Sequence, residues 1–214
     1  MRPGRTYQWY CVMLATRGYT LVSIMVGLTL SALLLTGALQ WARHTLLLHQ
    51  HLLLTMRMEN ELARLLQLIT TELRRAGYDA QAEARLLNQQ PRSDSPFVPA
   101  LAVNSYPGEV AHSCILFHYD KNQNGRLDGH APAEQLGFRL HDGTVEYRVD
   151  GRLCHHSGWH DLTSKSVLTI TDLQFSATAS QPGAGAMNIV ISAHAAGLPE
   201  NTRTHQRNVM IRNY

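Results

Sequence analysis

From Tyr19 to Trp41 the chain carries no charged residue, and its centre reads Leu-Val-Ser-Ile-Met-Val-Gly-Leu-Thr-Leu-Ser-Ala-Leu-Leu-Leu over positions 21–35. At about 1.5 Å per residue, a helix of this length crosses a hydrocarbon layer of roughly 30 Å. A helix in water needs a polar face, and this run offers none. The segment 19–41 is therefore expected to span a membrane. Arg2, Arg5 and Arg17 precede it without any Asp or Glu. The positive-inside rule then keeps residues 1–17 in the cytoplasm and sends everything beyond Trp41 across the bilayer.

A secretory signal peptide, cut after a small residue such as Ala38, is the competing reading. The apolar run exceeds the usual h-region of about 7–15 residues. The helical pattern also continues past Ala38, which favours an anchor that stays on the protein. The remaining chain is long enough for one ordinary domain. With 44% hydrophobic residues and a formal charge of +3, disorder is excluded. Arg and Lys are scattered rather than gathered in a stripe, so no nucleic-acid partner is expected.

Beyond Trp41 the pattern turns amphipathic. Met58, Leu62, Leu65, Leu66, Ile69 and Leu73 recur at three- and four-residue steps, with Glu59, Glu61, Arg64, Glu72 and Arg75 on the other sides. That is the mark of a helix with one buried face. No Pro or Gly interrupts positions 38–76, and Gly77 supplies a stop signal. One helix over 19–77, on the order of 85 Å long, is predicted. The triple-Leu clusters at 46–48 and 52–54 do not fit a strict coiled-coil seam. They suit a helix packed among like helices.

Residues 79–110 are rich in Pro, Ser, Asn and Ala and read as an irregular connection. Strand signals follow at Cys114–Tyr119, Gly137–His141, Thr144–Val149, Val167–Ile170, Leu173–Ser176, Asn188–Ala193 and Asn208–Arg212. Asp142-Gly143 is the best two-residue hairpin turn. An antiparallel sheet with one long helix laid across it makes an α+β domain over 78–214.

Cys11 falls before the span, whereas Cys114 and Cys154 would share an oxidising compartment, so a disulfide between them is expected. Asp120, Asn122, Asn124 and Asp128 stand at positions one, three, five and nine around Gly125, which matches the first part of a calcium loop. Ala131 holds the twelfth position, where a bidentate Glu belongs, and Glu134 lies further on. The other reading is an Asn/Gly-rich turn whose side chains cap their own backbone. His156 and His160 need a helix to converge on a metal, and Ser157-Gly158 argues for a loop instead. No Ser/His/Asp signature, phosphate loop or Cys-x-x-Cys is present, so no enzyme is expected.

The junction Arg17-Gly18-Tyr19-Thr20-Leu21-Val22 resembles the type III signal of prepilins, in which a basic leader ends in Gly before an aromatic residue. That resemblance implies a cytoplasmic leader, 1–18, removed by a prepilin peptidase between Gly18 and Tyr19, with N-methylation of Tyr19. A Gly there lets an extended backbone enter a protease cleft unobstructed. The family's usual Glu five residues into the mature chain is here Ser23, which cannot pair with a neighbouring amine. Both a place at a filament tip and a tolerated loss account for this. Leu73-Arg-Arg-Ala-Gly-Tyr78, Cys114-Ile-Leu, the Asp120–Gly125 run, Gln135-Leu-Gly-Phe-Arg139, Cys154 and Gly158-Trp159 resemble type IV minor pilins and type II secretion pseudopilins of the W and J types. The resemblance implies a pilin-like fold, a single-pass inner-membrane protein with its domain in the periplasm, and a role in priming a type IV pilus or a pseudopilus. Its partners would be the peptidase, other minor pilins and membrane lipid. A membrane-tethered periplasmic binding module outside any filament is the alternative.

Overall fold

The computed structural model describes residues 20–178 and 185–213. The chain divides into two compact units, Met1–His49 and Gln50–Tyr214. Helix α1 runs from Leu21 to Leu73. Thr20 caps its start: its carbonyl accepts the N–H of Ser23 at 2.9 Å, and its hydroxyl hydrogen-bonds that of Ser23 at 3.0 Å. In the first unit every described residue is exposed. The helix there is long and apolar enough to cross a bilayer.

The second unit is an α+β domain. The helix residues buried in it are Met58, Leu62, Leu65, Leu66, Ile69, Thr70 and Leu73, so the expected apolar stripe is the buried one. After Leu73 the chain leaves the helix through a turn, four residues short of the expected end at 77. Gly77 follows at a φ of 74°, and its N–H bonds the carbonyl of His118 at 2.8 Å.

The strands form two antiparallel sheets rather than one. The first contains β1 (Leu101–Asn104), β2 (Cys114–His118), β3 (Gln135–His141), β4 (Thr144–Tyr147) and β5 (His160–Asp161), in that order. The second contains β6 (Leu168–Thr178), β7 (Gly185–Ala195) and β8 (Thr202–Ile211). The strands expected at 167–170 and 173–176 are a single strand with a register shift between Ile170 and Asp172. The polar pair Thr171-Asp172 sits at that irregularity, and it is what broke the hydrophobic pattern in two. The segment read as irregular contains β1, a short helix α2 (Ala82–Leu87) and a 3-10 turn at Arg92–Asp94. Asp142 and Gly143 both take positive φ, 46° and 71°, as a two-residue hairpin loop requires.

Along β7, Met187, Ile189, Ile191, Ala193 and Ala195 are buried at every second position, so one face of the second sheet is apolar. Those side chains share one core with the helix stripe and with Ile115, Phe117, Phe138 and Val145 of the first sheet. The two sheets are tied through β6. Its Ile170 N–H bonds the carbonyl of Gly143 at 2.9 Å, and its Phe175 N–H that of His112 at 3.0 Å.

Candidate functional site

Gly18 and Tyr19, the expected processing site, lie outside the described residues, as does Cys11. Ser23, the position at which prepilins carry a carboxylate, is exposed on α1, and its hydroxyl hydrogen-bonds that of Thr20. The surface that follows it is apolar. Leu28, Leu34, Leu35 and Leu39 are each more than three-fifths exposed. In water such a surface would be covered, and lipid or other apolar helices are its natural surroundings.

Cys114 and Cys154 are joined by a disulfide across 40 residues. On the chain-entropy model, closing that loop stabilises the fold by about 4 kcal/mol. The bond is buried under Trp159 and beside Leu116. Around it Arg139, a cation in the middle of β3, is 2% exposed. Its Nε–H donates to Glu146 on β4, and its Nη1 donates to the carbonyls of Cys154 and His156. Its guanidinium carbon lies 4.7 Å from the ring centre of Tyr106 and 4.6 Å from that of Trp159. Burial of a charge is costly unless it is paired and hydrogen-bonded, and here both conditions are met. Sequence reading missed this residue, because an arginine within a strand pattern looks like an outward-facing side chain. The one signal was its place in the Gln135-Leu-Gly-Phe-Arg139 stretch; its position opposite Cys114 in the β2–β3 register shows only in the fold.

The loop after β2 brings Asp120, Asn122, Asn124 and Asp128 together. The Asp120 carboxylate accepts the N–H groups of Asn124 at 3.0 Å, Gly125 at 2.8 Å and Ala80 at 3.3 Å. The side-chain amides of Asn122 and Asn124 both donate to Asp128, at 2.8 and 2.9 Å. Their own oxygens accept backbone N–H groups two residues on. Glu134 is fully buried and accepts from Lys121, Asn122 and Asp128. The oxygens of the loop thus face N–H groups. Among the described residues no three His, Cys, Asp or Glu side chains gather as metal ligands do. His156 and His160 stay apart in their contacts: His156 Nδ1 accepts the Leu153 N–H, and His160 Nδ1 hydrogen-bonds the Tyr147 hydroxyl at 2.9 Å.

Near the point where the chain turns out of α1, His118 and Asp79 depart from their ordinary behaviour. His118 is held below the usual histidine range by burial, with the charge of Arg148 adding to the effect. Its Nε2 is buried without a partner. For Asp79, burial alone would raise the pKa. Hydrogen bonds from Ser95, the Gln81 N–H and Arg85 outweigh it and hold the carboxyl below its ordinary value.

The family model described as prepilin peptidase-dependent protein B matches residues 51–211. No curated protein and no solved structure matches the chain. The matched stretch takes in the buried half of α1, both sheets, both cysteines and the Asp120–Asp128 loop. The chain belongs to the prepilin peptidase-dependent protein B family.

Proposed function

We propose that the protein is a minor pilin or pseudopilin that primes assembly of a type IV pilus or a type II secretion pseudopilus. Membership of a prepilin peptidase-dependent family carries this reading, and the exposed apolar helix agrees with it. The peptidase cuts between Gly18 and Tyr19 on the cytoplasmic face of the inner membrane, and Tyr19 becomes N-methylated. The periplasmic domain stays anchored by residues 19–41. On assembly the helix leaves the bilayer and exchanges lipid contacts for contacts with other subunits' helices. The role is structural rather than catalytic.

Intact mass after co-expression with a prepilin peptidase tests this. A product beginning at N-methylated Tyr19 is expected, and Gly18→Ala should abolish the cut while leaving the domain folded. An uncut wild-type chain would instead support a tethered periplasmic module.

We further infer that the Asp120–Asp128 loop is a self-capped turn that needs no calcium. Its oxygens are engaged by N–H donors, and Ala131 stands where the bidentate ligand belongs. Millimolar calcium should leave the melting temperature unchanged, as should a chelator. A rise of several degrees with calcium would restore the cation-binding reading.

A further inference from the structure

The disulfide and Arg139 are cross-strand neighbours, since Cys114 on β2 faces Arg139 on β3. Cys154 belongs to a loop, and that loop is held by contacts that owe nothing to the sulfur–sulfur bond. Arg139 donates to the carbonyls of Cys154 and His156. The indole N–H of Trp159 donates to the carbonyl of Leu153 at 3.2 Å, and the His156 N–H bonds the same carbonyl at 3.0 Å. The Trp159 ring lies so close over β3 that a Cβ on Gly137 would come within 3.2 Å of it. The Tyr106 ring also packs against the guanidinium, its centre 4.7 Å from the guanidinium carbon. Cys114 is fully buried and Cys154 is 5% exposed, so no external thiol reaches either sulfur while these contacts hold.

We propose that Arg139 is a latch that closes the 153–159 loop over the Cys114–Cys154 disulfide and so controls its access to thiol–disulfide exchange. The loop is the side that opens, because Cys114 sits within the first sheet. With the loop open, a thiolate of an external dithiol attacks Sγ of Cys154. A mixed disulfide forms, the Cys114–Cys154 bond breaks, and its electron pair leaves with Cys114 as a thiolate. The reagent's second thiol then displaces Cys154, and the reagent departs as a cyclic disulfide. The two protons it gives up are taken by the cysteines. Two electrons pass from the dithiol to the protein, and the reverse path needs an external disulfide as oxidant. The rate of either direction is scaled by how often the loop opens.

A native-state reduction experiment tests the latch. The full chain in detergent micelles is treated with dithiothreitol, samples are quenched with iodoacetamide, and alkylated cysteines are counted by mass. Cys11, where present, reacts from the start as a constant offset. Arg139→Gln is compared with wild type and with a core variant at Ile191, Val or Ala, chosen to match its melting temperature. Arg139→Gln should be reduced roughly ten- to a hundredfold faster than both, as expected when charged hydrogen bonds are removed from a local opening equilibrium. Arg139→Lys, which keeps the charge but not the forked donor set, should fall between. If the matched core variant is reduced as fast as Arg139→Gln, global unfolding governs exchange and the latch is overturned. Equal rates for Arg139→Gln and wild type overturn it too. Should Arg139→Gln fail to fold, Arg139→Lys and Tyr106→Leu carry the same comparison.

Discussion

At the scale of single residues, the domain depends on polar groups kept inside it under strict conditions. His118 shows the consequence for pH. Because its pKa is depressed in the fold, the unfolded chain binds the proton more readily. Its contribution to stability is therefore whole above the ordinary histidine value of about 6.5 and is lost as pH falls below it. Asp79 works in the same direction further down: its depressed pKa gives stability that is present above about pH 4 and lost below it. Melting temperature should thus fall from pH 7 to pH 5, and His118→Phe should flatten that part of the curve. An unchanged slope in the variant would assign the loss to other groups. The contacts of the residue beside the disulfide, Arg139, could not be read beforehand. Arg139 meets carbonyls 15 and 17 residues further on, and side-chain reach of that kind leaves no periodic trace.

At the scale of elements, the long helix was legible because its signal is redundant. Six residues at helical spacing all point to one face, and all six are buried. The hairpin at Asp142-Gly143 was legible because few residues tolerate that turn. What failed was short or polar. Strand β1 has only four residues and half-buried alternation, set within a stretch full of turn formers. Strand β8 is exposed along most of its length, with only Val209 and Ile211 buried, so only its end read as a strand. The helix also implies a contrast between its two parts. Leu66→Ala, at a site 3% exposed, should destabilise the domain by about 2–5 kcal/mol. Leu47→Ala, at a site 55% exposed, should change it by no more than about 0.5 kcal/mol. Denaturant titration of the two variants side by side decides this, and equal losses would mean that the exposed part also contributes to the fold.

At the scale of the molecule, the core lies entirely within the second unit. Among the described residues, none of its buried side chains comes from before Met58. A chain beginning at Gln50 should therefore remain soluble without detergent. It should melt within about 4 °C of the full protein, the shift that about 1 kcal/mol brings at this size. A larger drop would show that the apolar segment supports the domain. The contrast between the two units also explains which features could be read early. An apolar stretch long enough to cross a bilayer is a property of composition and needs no fold, so the sequence displays it openly. The latch over the disulfide is a property of three elements meeting, and only the folded chain displays it.

The disulfide has a mechanical side as well. It encloses β3, β4 and the whole Asp120–Asp128 loop within a covalent ring of 40 residues. A chain pulled through its two ends bears the load outside the ring, while the ring contributes no length. Stretched to the limit, the oxidised protein would be shorter than the reduced one by about 130–140 Å, at roughly 3.3–3.6 Å for each residue withheld. For any domain pulled by its two ends, such a ring keeps the strands inside it from being drawn out to full length.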